Sequence, residues 1–167
     1  AVLQGCSVPN LDICITLRCN GHCPNCIELC NSTEKTGLDY SDSDMTLGQI
    51  DTFIQQVRNL NQSYLFEHVY VTGGEPLLHP HVKEIVLRIE RLRAEGFIKN
   101  LYINSNTLIE PPPVLRSYIV NFSLPKNNPQ LHHAALIHPS DFGGAKKTRA
   151  ECTHYRKNTW ILNYQGF

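Results

Sequence analysis

Three cysteines, Cys19, Cys23 and Cys26, stand at C-x3-C-x2-C spacing in the run ITLRCNGHCPNCIELC. Between them lie Asn20-Gly21-His22 and Pro24-Asn25, residues that favour turns. A short loop at the end of a strand can point three thiolates at one place. Thiolates are soft ligands, suited to zinc and to iron–sulfur clusters. A cubane cluster ordinarily takes four cysteines, so three leave one iron open to a substrate or cofactor. A zinc site is the other chemistry this spacing allows, with Cys30 or His22 as fourth ligand. A second constellation follows about fifty residues on, Gly73-Gly74-Glu75-Pro76-Leu77-Leu78-His79-Pro80. Two glycines at a strand end allow dihedrals and a close backbone approach that a Cβ forbids. Glu75 there offers a charged acceptor to an ammonium group. Zinc would account for the cysteines and leave this glycine-led loop without a role.

Together, the three cysteines and the GGEPLLHP loop resemble the radical S-adenosylmethionine (radical SAM) superfamily. The resemblance implies that Cys19, Cys23 and Cys26 hold a [4Fe–4S] cluster, whose fourth iron is chelated by the amino and carboxylate groups of S-adenosylmethionine. It implies that Gly73, Gly74 and Glu75 lie along the methionyl part of that cofactor. The residue before the third cysteine is usually large and apolar in the family and packs near the adenine. Here it is Asn25, so its backbone can keep that contact while adenine packing must come from elsewhere. A polar residue on the fourth strand often meets the ribose, which makes Asn121 and Ser123 candidates, alongside an ordinary role for each as an edge or lumen polar residue. Asn104, at the end of the third strand, is a further candidate for the cofactor. The implied reaction is reductive cleavage of S-adenosylmethionine to a 5′-deoxyadenosyl radical that abstracts hydrogen from a peptide or small-molecule substrate. The implied partner is an electron donor of the flavodoxin or ferredoxin kind. Two alternatives stand beside this: an activating protein for a glycyl-radical enzyme, and a non-catalytic module that holds zinc or a cluster on its cysteines.

The elements that must position these residues follow from periodicity. Residues 11–17 (LDICITL) alternate as a strand, with Ile13, Ile15 and Leu17 on one face and Asp12, Cys14 and Thr16 on the other. In a barrel-like sheet the second face looks into the interior, where polar side chains can serve a ligand. Residues 30–44 are polar and read as a loop. Residues 46–60 read as a helix, opened by a Thr46–Gln49 capping box and striped by Leu47, Ile50, Ile54 and Val57. Residues 68–72 (HVYVT) form a strand that runs into the two glycines. Residues 81–95 form a helix striped by Val82, Ile85, Ile89 and Leu92 and closed by Gly96. Residues 100–105 and 118–124 read as the third and fourth strands, and 160–163 as a short strand-like run. Strand–loop–helix units in succession predict an α/β fold with a parallel sheet. Ligands in such sheets bind beyond the carboxyl ends of the strands, where the cysteines, the GGEP loop and residues 104–106 all fall. The family fold is a partial (β/α) barrel of about six units, and about four are countable here. The chain therefore reads as a compact member or as one cut short.

Composition narrows the rest. Fifteen Lys and Arg balance fifteen Asp and Glu over 167 residues, which leaves no electrostatic footprint for nucleic acid or an anionic membrane. No apolar run approaches the ~20 residues that span a bilayer, and no signal-peptide pattern opens the sequence. Seven cysteines without a disulfide-framework spacing point to a reducing cytoplasm. Residues 1–145 are expected to form the core, and 146–167 a final barrel segment or the start of a C-terminal extension. Cys152 and the run 160–167 are similar to the opening of an auxiliary-cluster extension of the SPASM or twitch kind, with a plain thiol the alternative for Cys152.

Overall fold

The structure is a computed structural model. It describes residues 7–21 and 42–120, and the backbone of 159–162. Five strands form one sheet: β1 (Val8–Cys14), β2 (Phe66–Thr72), β3 (Ile98–Asn104), β4 (Ile119–Val120) and β5 (Thr159–Leu162). Their order is β4-β3-β2-β1-β5 and every neighbouring pair is parallel. Among the described residues two α-helices connect them, α1 (Leu47–Leu60) before β2 and α2 (Val82–Ala94) before β3. This is the α/β architecture of a partial (β/α) barrel.

The core lies between one sheet face and the two helices. Leu11, Ile13, Val69, Val71, Leu101 and Ile103 alternate along β1 to β3 and pack with Ile50, Ile54 and Val57 of α1 and Ile85, Ile89 and Leu92 of α2. Fully burying an aliphatic side chain contributes about 1.5–3 kcal/mol, so these stripes fix which way each helix faces. Phe53 and Val86 join the stripes, and Phe53 meets Phe66 of β2 with ring centroids 6.3 Å apart. The capping box forms, with the Gln49 backbone N–H donating to Thr46 Oγ1 and the Thr46 backbone N–H donating to Gln49 Oε1. α2 ends where Gly96 takes φ +83° and the Phe97 N–H returns to the Leu92 carbonyl. Arg58 pairs with Glu95, and Arg88 with Asp51, so the two helices are also linked by charge.

The strand limits differ from the periodic reading, with identifiable reasons. β1 begins at Val8, whose N–H donates to the Leu65 carbonyl at 2.7 Å, and its ladder ends at Cys14 rather than 17. Ile15 still donates to Thr72 O, but Leu17 then gives its N–H to Ser43 Oγ. Leu17 therefore leaves the sheet, and Leu11 takes the place expected for it in the core. β2 and β3 each start two residues early, because Phe66 and Ile98 already pair with each other. Of the fourth strand, 119–120 are described, and 121–124 lie outside the described residues. The short run near Trp160 is β5, which lies beside β1 with Leu11 opposite Trp160. Among the described residues no helix is long and apolar enough to cross a membrane.

Candidate functional site

All five strands point the same way, so the segments leaving β1, β2 and β3 meet at one edge of the sheet. The β1 exit carries Cys19, the β2 exit carries Gly73-Gly74-Glu75, and the β3 exit carries Ser105 and Asn106. The first two are joined backbone to backbone. Gly74 N–H donates to Thr16 O and Glu75 N–H to Arg18 O, each at 2.8 Å. This is why glycine is required. A Cβ on Gly73, which holds φ +149°, would lie 2.2 Å from Thr16 O, and one on Gly74 would lie 2.3 Å from Arg18 O.

The root of the cysteine loop is clamped from the other side by residues 43–45. Met45 N–H donates to Ile15 O, and Thr16 Oγ1 donates to Asp44 Oδ1 at 2.6 Å. Arg18 meets the same carboxylate with two nitrogens, at 3.1 Å and 2.6 Å, and reaches the Leu78 carbonyl at 2.9 Å. Burial acts to raise the Asp44 carboxyl, yet the hydrogen bonds from Thr16 and Arg18 outweigh it and hold the group below its ordinary 3.8. His79 is buried beneath this clamp. Its Nδ1 accepts the His81 N–H, which leaves the proton on Nε2 to donate to the Met45 carbonyl. Burial pushes its pKa below the usual 6.5, and the Met45 bond only partly restores it.

Glu75 is fully buried. Oε1 accepts from Leu77 N–H and Ser105 Oγ, each at 2.9 Å, and Oε2 accepts from Asn106 N–H at 2.7 Å. Burial raises its carboxyl, against the pull of those three donors. The carboxylate therefore faces inward and ties the β2 and β3 exits together. A direct meeting with an ammonium group, the role suggested by the sequence, does not suit this orientation. Asn106 continues the chain of bonds. Its Nδ2 donates to Asn20 Oδ1 at 2.9 Å and approaches Cys19 Sγ at 4.0 Å. Gly21 N–H also donates to Cys19 Sγ, at 3.3 Å. A sulfur already faced by N–H donors suits a metal-bound thiolate, and the glycine loop packed on its root suits a ligand held across both exits. The residues present fit a cluster with S-adenosylmethionine beside it.

The sheet face away from the helices is polar and aromatic. Asp12, Tyr70 and Tyr102 stand in register across β1 to β3, and the two tyrosines stack with centroids 5.0 Å apart. His68 lies 6.1 Å from the Tyr102 ring, and Asn100 Nδ2 contacts His68 Nδ1 at 3.2 Å. Cys14 and the half-buried Asn104 share this face by alternation. Cys14 is buried, with its Sγ 3.7 Å from Thr16 O, in keeping with a small core residue.

Of the residues singled out from sequence, Cys19, Gly73, Gly74 and Glu75 come together, and Asn104 lies just below them at the end of β3. Cys23, Cys26, Asn25, Asn121, Ser123 and Cys152 lie outside the described residues, as do His22 and Cys30. Among the described residues, no three His, Cys, Asp or Glu side chains converge on one point. Sequence reasoning missed the Thr16–Arg18–Asp44 clamp and the bonds of Ser105 and Asn106. The clamp joins residues far apart in sequence, so no local spacing announces it. Tyr70 and Tyr102 carried a signal, as bulky rings at period two among aliphatic neighbours.

Comparison with known proteins bears on the same residues. The chain is similar to a GTP 3',8-cyclase of Limosilactobacillus fermentum (strain NBRC 3956 / LMG 18251), 38% identical over 96 residues. Those residues are 58% of this chain and 26% of the relative. It is also similar to a GTP 3',8-cyclase of Lactiplantibacillus plantarum (strain ATCC BAA-793 / NCIMB 8826 / WCFS1), 37% identical over 94 residues, 56% of this chain and 25% of that relative. The chain thus spans only about a quarter of the length of these curated relatives. The family model of the radical SAM superfamily matches residues 13–122, well over half of the chain. A match over that span, on a parallel sheet whose strand exits carry both motifs, makes this chain a member of the radical SAM superfamily, whose enzymes use a [4Fe–4S] cluster and S-adenosylmethionine.

Proposed function

We propose that this chain is the cofactor-holding core of a radical SAM enzyme acting on a small molecule. In this reading Cys19, Cys23 and Cys26 ligate the cluster, and the backbone of Gly73 and Gly74 flanks the methionyl end of S-adenosylmethionine. Glu75 holds that loop from inside, and Asn25, Asn104 and Ser123 remain candidates for the rest of the cofactor. The observation that carries the reading is the pair of 2.8 Å hydrogen bonds from Gly74 and Glu75 to Thr16 and Arg18. They set the glycine loop against the root of the cysteine loop, which is what a ligand shared by both loops needs. When bound, the pair supplies one-electron reductive cleavage of the sulfonium and hydrogen abstraction by the resulting radical. The protein orients both groups through the stitched strand exits. The polar, aromatic sheet face, on which Asp12 and Tyr102 are half-buried, offers a wall for a substrate.

A small-molecule substrate is favoured because the relatives named above are GTP 3',8-cyclases. The matched stretch covers a quarter of those enzymes, and selectivity resides in sites added to a fold rather than in the fold itself. The parallel pairing of β5 with β1 supports counting residues 159–162 with the barrel. A reducing compartment such as the cytoplasm, with a flavodoxin- or ferredoxin-like donor, fits thiols kept for a cluster.

The test is anaerobic iron and sulfide analysis with electron paramagnetic resonance, followed by a dithionite-driven assay for 5′-deoxyadenosine. About four irons per chain, and product lost in Cys19→Ala, Cys23→Ala and Cys26→Ala, are expected. Bound zinc without iron, or a cluster that cleaves no S-adenosylmethionine, overturns the catalytic reading.

A further inference from the structure

We infer that Asn106 is a positioning residue that pins the cysteine loop and donates a hydrogen bond to the Cys19 sulfur. The inference rests on the proposed function for its electronic half and on the geometry alone for its positional half. Asn106 is 9% exposed and held on three sides. Its backbone N–H is bound by Glu75 Oε2, and its Oδ1 accepts the Leu108 N–H at 3.0 Å. With Oδ1 so engaged, the amide can only turn Nδ2 toward Asn20 Oδ1 and Cys19 Sγ. The backbone beneath it is strained. Thr107, a β-branched residue, holds φ 58°, and its N–H and hydroxyl are bound by Ser105 Oγ and Asn106 O. Such a conformation persists only where its surroundings over-determine it. Glu75 and Ser105 do this, so the amide has a fixed direction rather than a choice of rotamers.

That direction has a chemical consequence. The Cys19 thiol stands where a cluster-bound thiolate would be. Donors to a ligating sulfur draw off electron density and favour the reduced, more negative cluster. At a partly buried contact such as this one, a donor acts more strongly than in water. Asn106 thereby links three things in one side chain: the Glu75 strut, the position of Asn20, and the electron affinity of whatever Cys19 ligates.

Two readouts test this on wild type, Asn106→Ala, Asn106→Asp and Asn20→Ala. The first is amide hydrogen exchange of residues 17–21 in the protein without cluster. Asn106→Ala is expected to exchange there roughly fivefold faster, the loss of one hydrogen bond, with α1 and α2 unchanged. The second is the midpoint potential of the reconstituted cluster, followed by electron paramagnetic resonance. It is expected to fall in Asn106→Ala and further in Asn106→Asp, and to fall less in Asn20→Ala, which keeps the donor to sulfur. Asn106→Asp preserves Oδ1 for Leu108, so it carries both readouts if Asn106→Ala does not fold. Unchanged exchange at 17–21 overturns the positional half, and an unchanged potential in Asn106→Ala overturns the electronic half. A wild-type protein that takes up no cluster refutes the proposed function and the electronic half together, while the exchange data still decide the positional half.

Discussion

Replacing Gly74 by alanine tests the stitch between the two motif loops most directly. The added Cβ would meet Arg18 O at 2.3 Å, Arg18 C at 2.7 Å and Leu17 O at 2.8 Å, all of them backbone atoms. These atoms cannot swing aside like a side chain, and Arg18 is further anchored through Asp44 and Leu78. The loops must therefore part by roughly 1 Å to restore ordinary van der Waals contact. A 2.8 Å hydrogen bond stretched that far is lost. Two bonds at ~1 kcal/mol each give a destabilisation of about 2 kcal/mol. Residual strain adds about 1–3 kcal/mol, and the stiffer unfolded chain returns about 0.4–1 kcal/mol. The net expectation is a loss of roughly 2–4 kcal/mol, or about 5–15 °C in Tm for a chain of this size. Equilibrium urea denaturation followed by circular dichroism measures it, and iron content after reconstitution should fall in parallel. Gly48→Ala is the control: in α1, its Cβ finds nothing nearer than Thr46 Oγ1 at 3.8 Å, and a gain of about 0.5–1 kcal/mol is expected. A Gly74→Ala protein within ~0.5 kcal/mol of wild type, with full iron uptake, would refute the reasoning.

Glu75→Gln keeps the shape of the strut but turns an NH2 toward backbone donors, so a loss of about 2–3 kcal/mol is expected in the same urea titration. Asp44 has a depressed folded pKa, so its contribution is present above its unfolded value near 3.8 and is lost as pH falls through the folded value. Acid unfolding of the protein without cluster should therefore steepen below about pH 4 in wild type, while Asp44→Asn starts about 1–2 kcal/mol lower and lacks that limb. His79 is a base with a depressed folded pKa, so below 6.5 the unfolded chain binds the extra proton and stability declines. Unfolding free energies measured from about pH 7 to about pH 5 should show this slope in wild type and not in His79→Gln; an equal slope in both would remove His79 as its source.

Much of the fold was legible because periodicity is a local property. The stripes Ile50–Ile54–Val57 and Ile85–Ile89–Leu92 can be buried only if their helices lie on the sheet. The capping box and Gly96 mark helix ends through bonds spanning a few residues. The glycine pair after β2 and the cysteine spacing after β1 likewise pointed to one edge of the sheet, where the parallel strands bring both exits. Strand limits were less legible, since β1 is defined by partners at Leu65 and Thr72 that lie far along the chain. The position of β5 beside β1 falls under the same heading, because a four-residue run carries no record of its neighbour.

The roles inside the site divide in the same way. Sequence alone suggested that Cys19 and the two glycines serve one chemistry, because residue types carry their own ligand preferences, and the structure places their loops side by side. The sequence could not tell that Gly73 and Gly74 are glycines for the sake of Thr16 and Arg18, or that the Glu75 carboxylate turns inward to Ser105 and Asn106. Those facts depend on which strand exits lie side by side. Parallel pairing brings residues 16, 74 and 106 together across loops that share no pattern, and only the folded sheet fixes that juxtaposition.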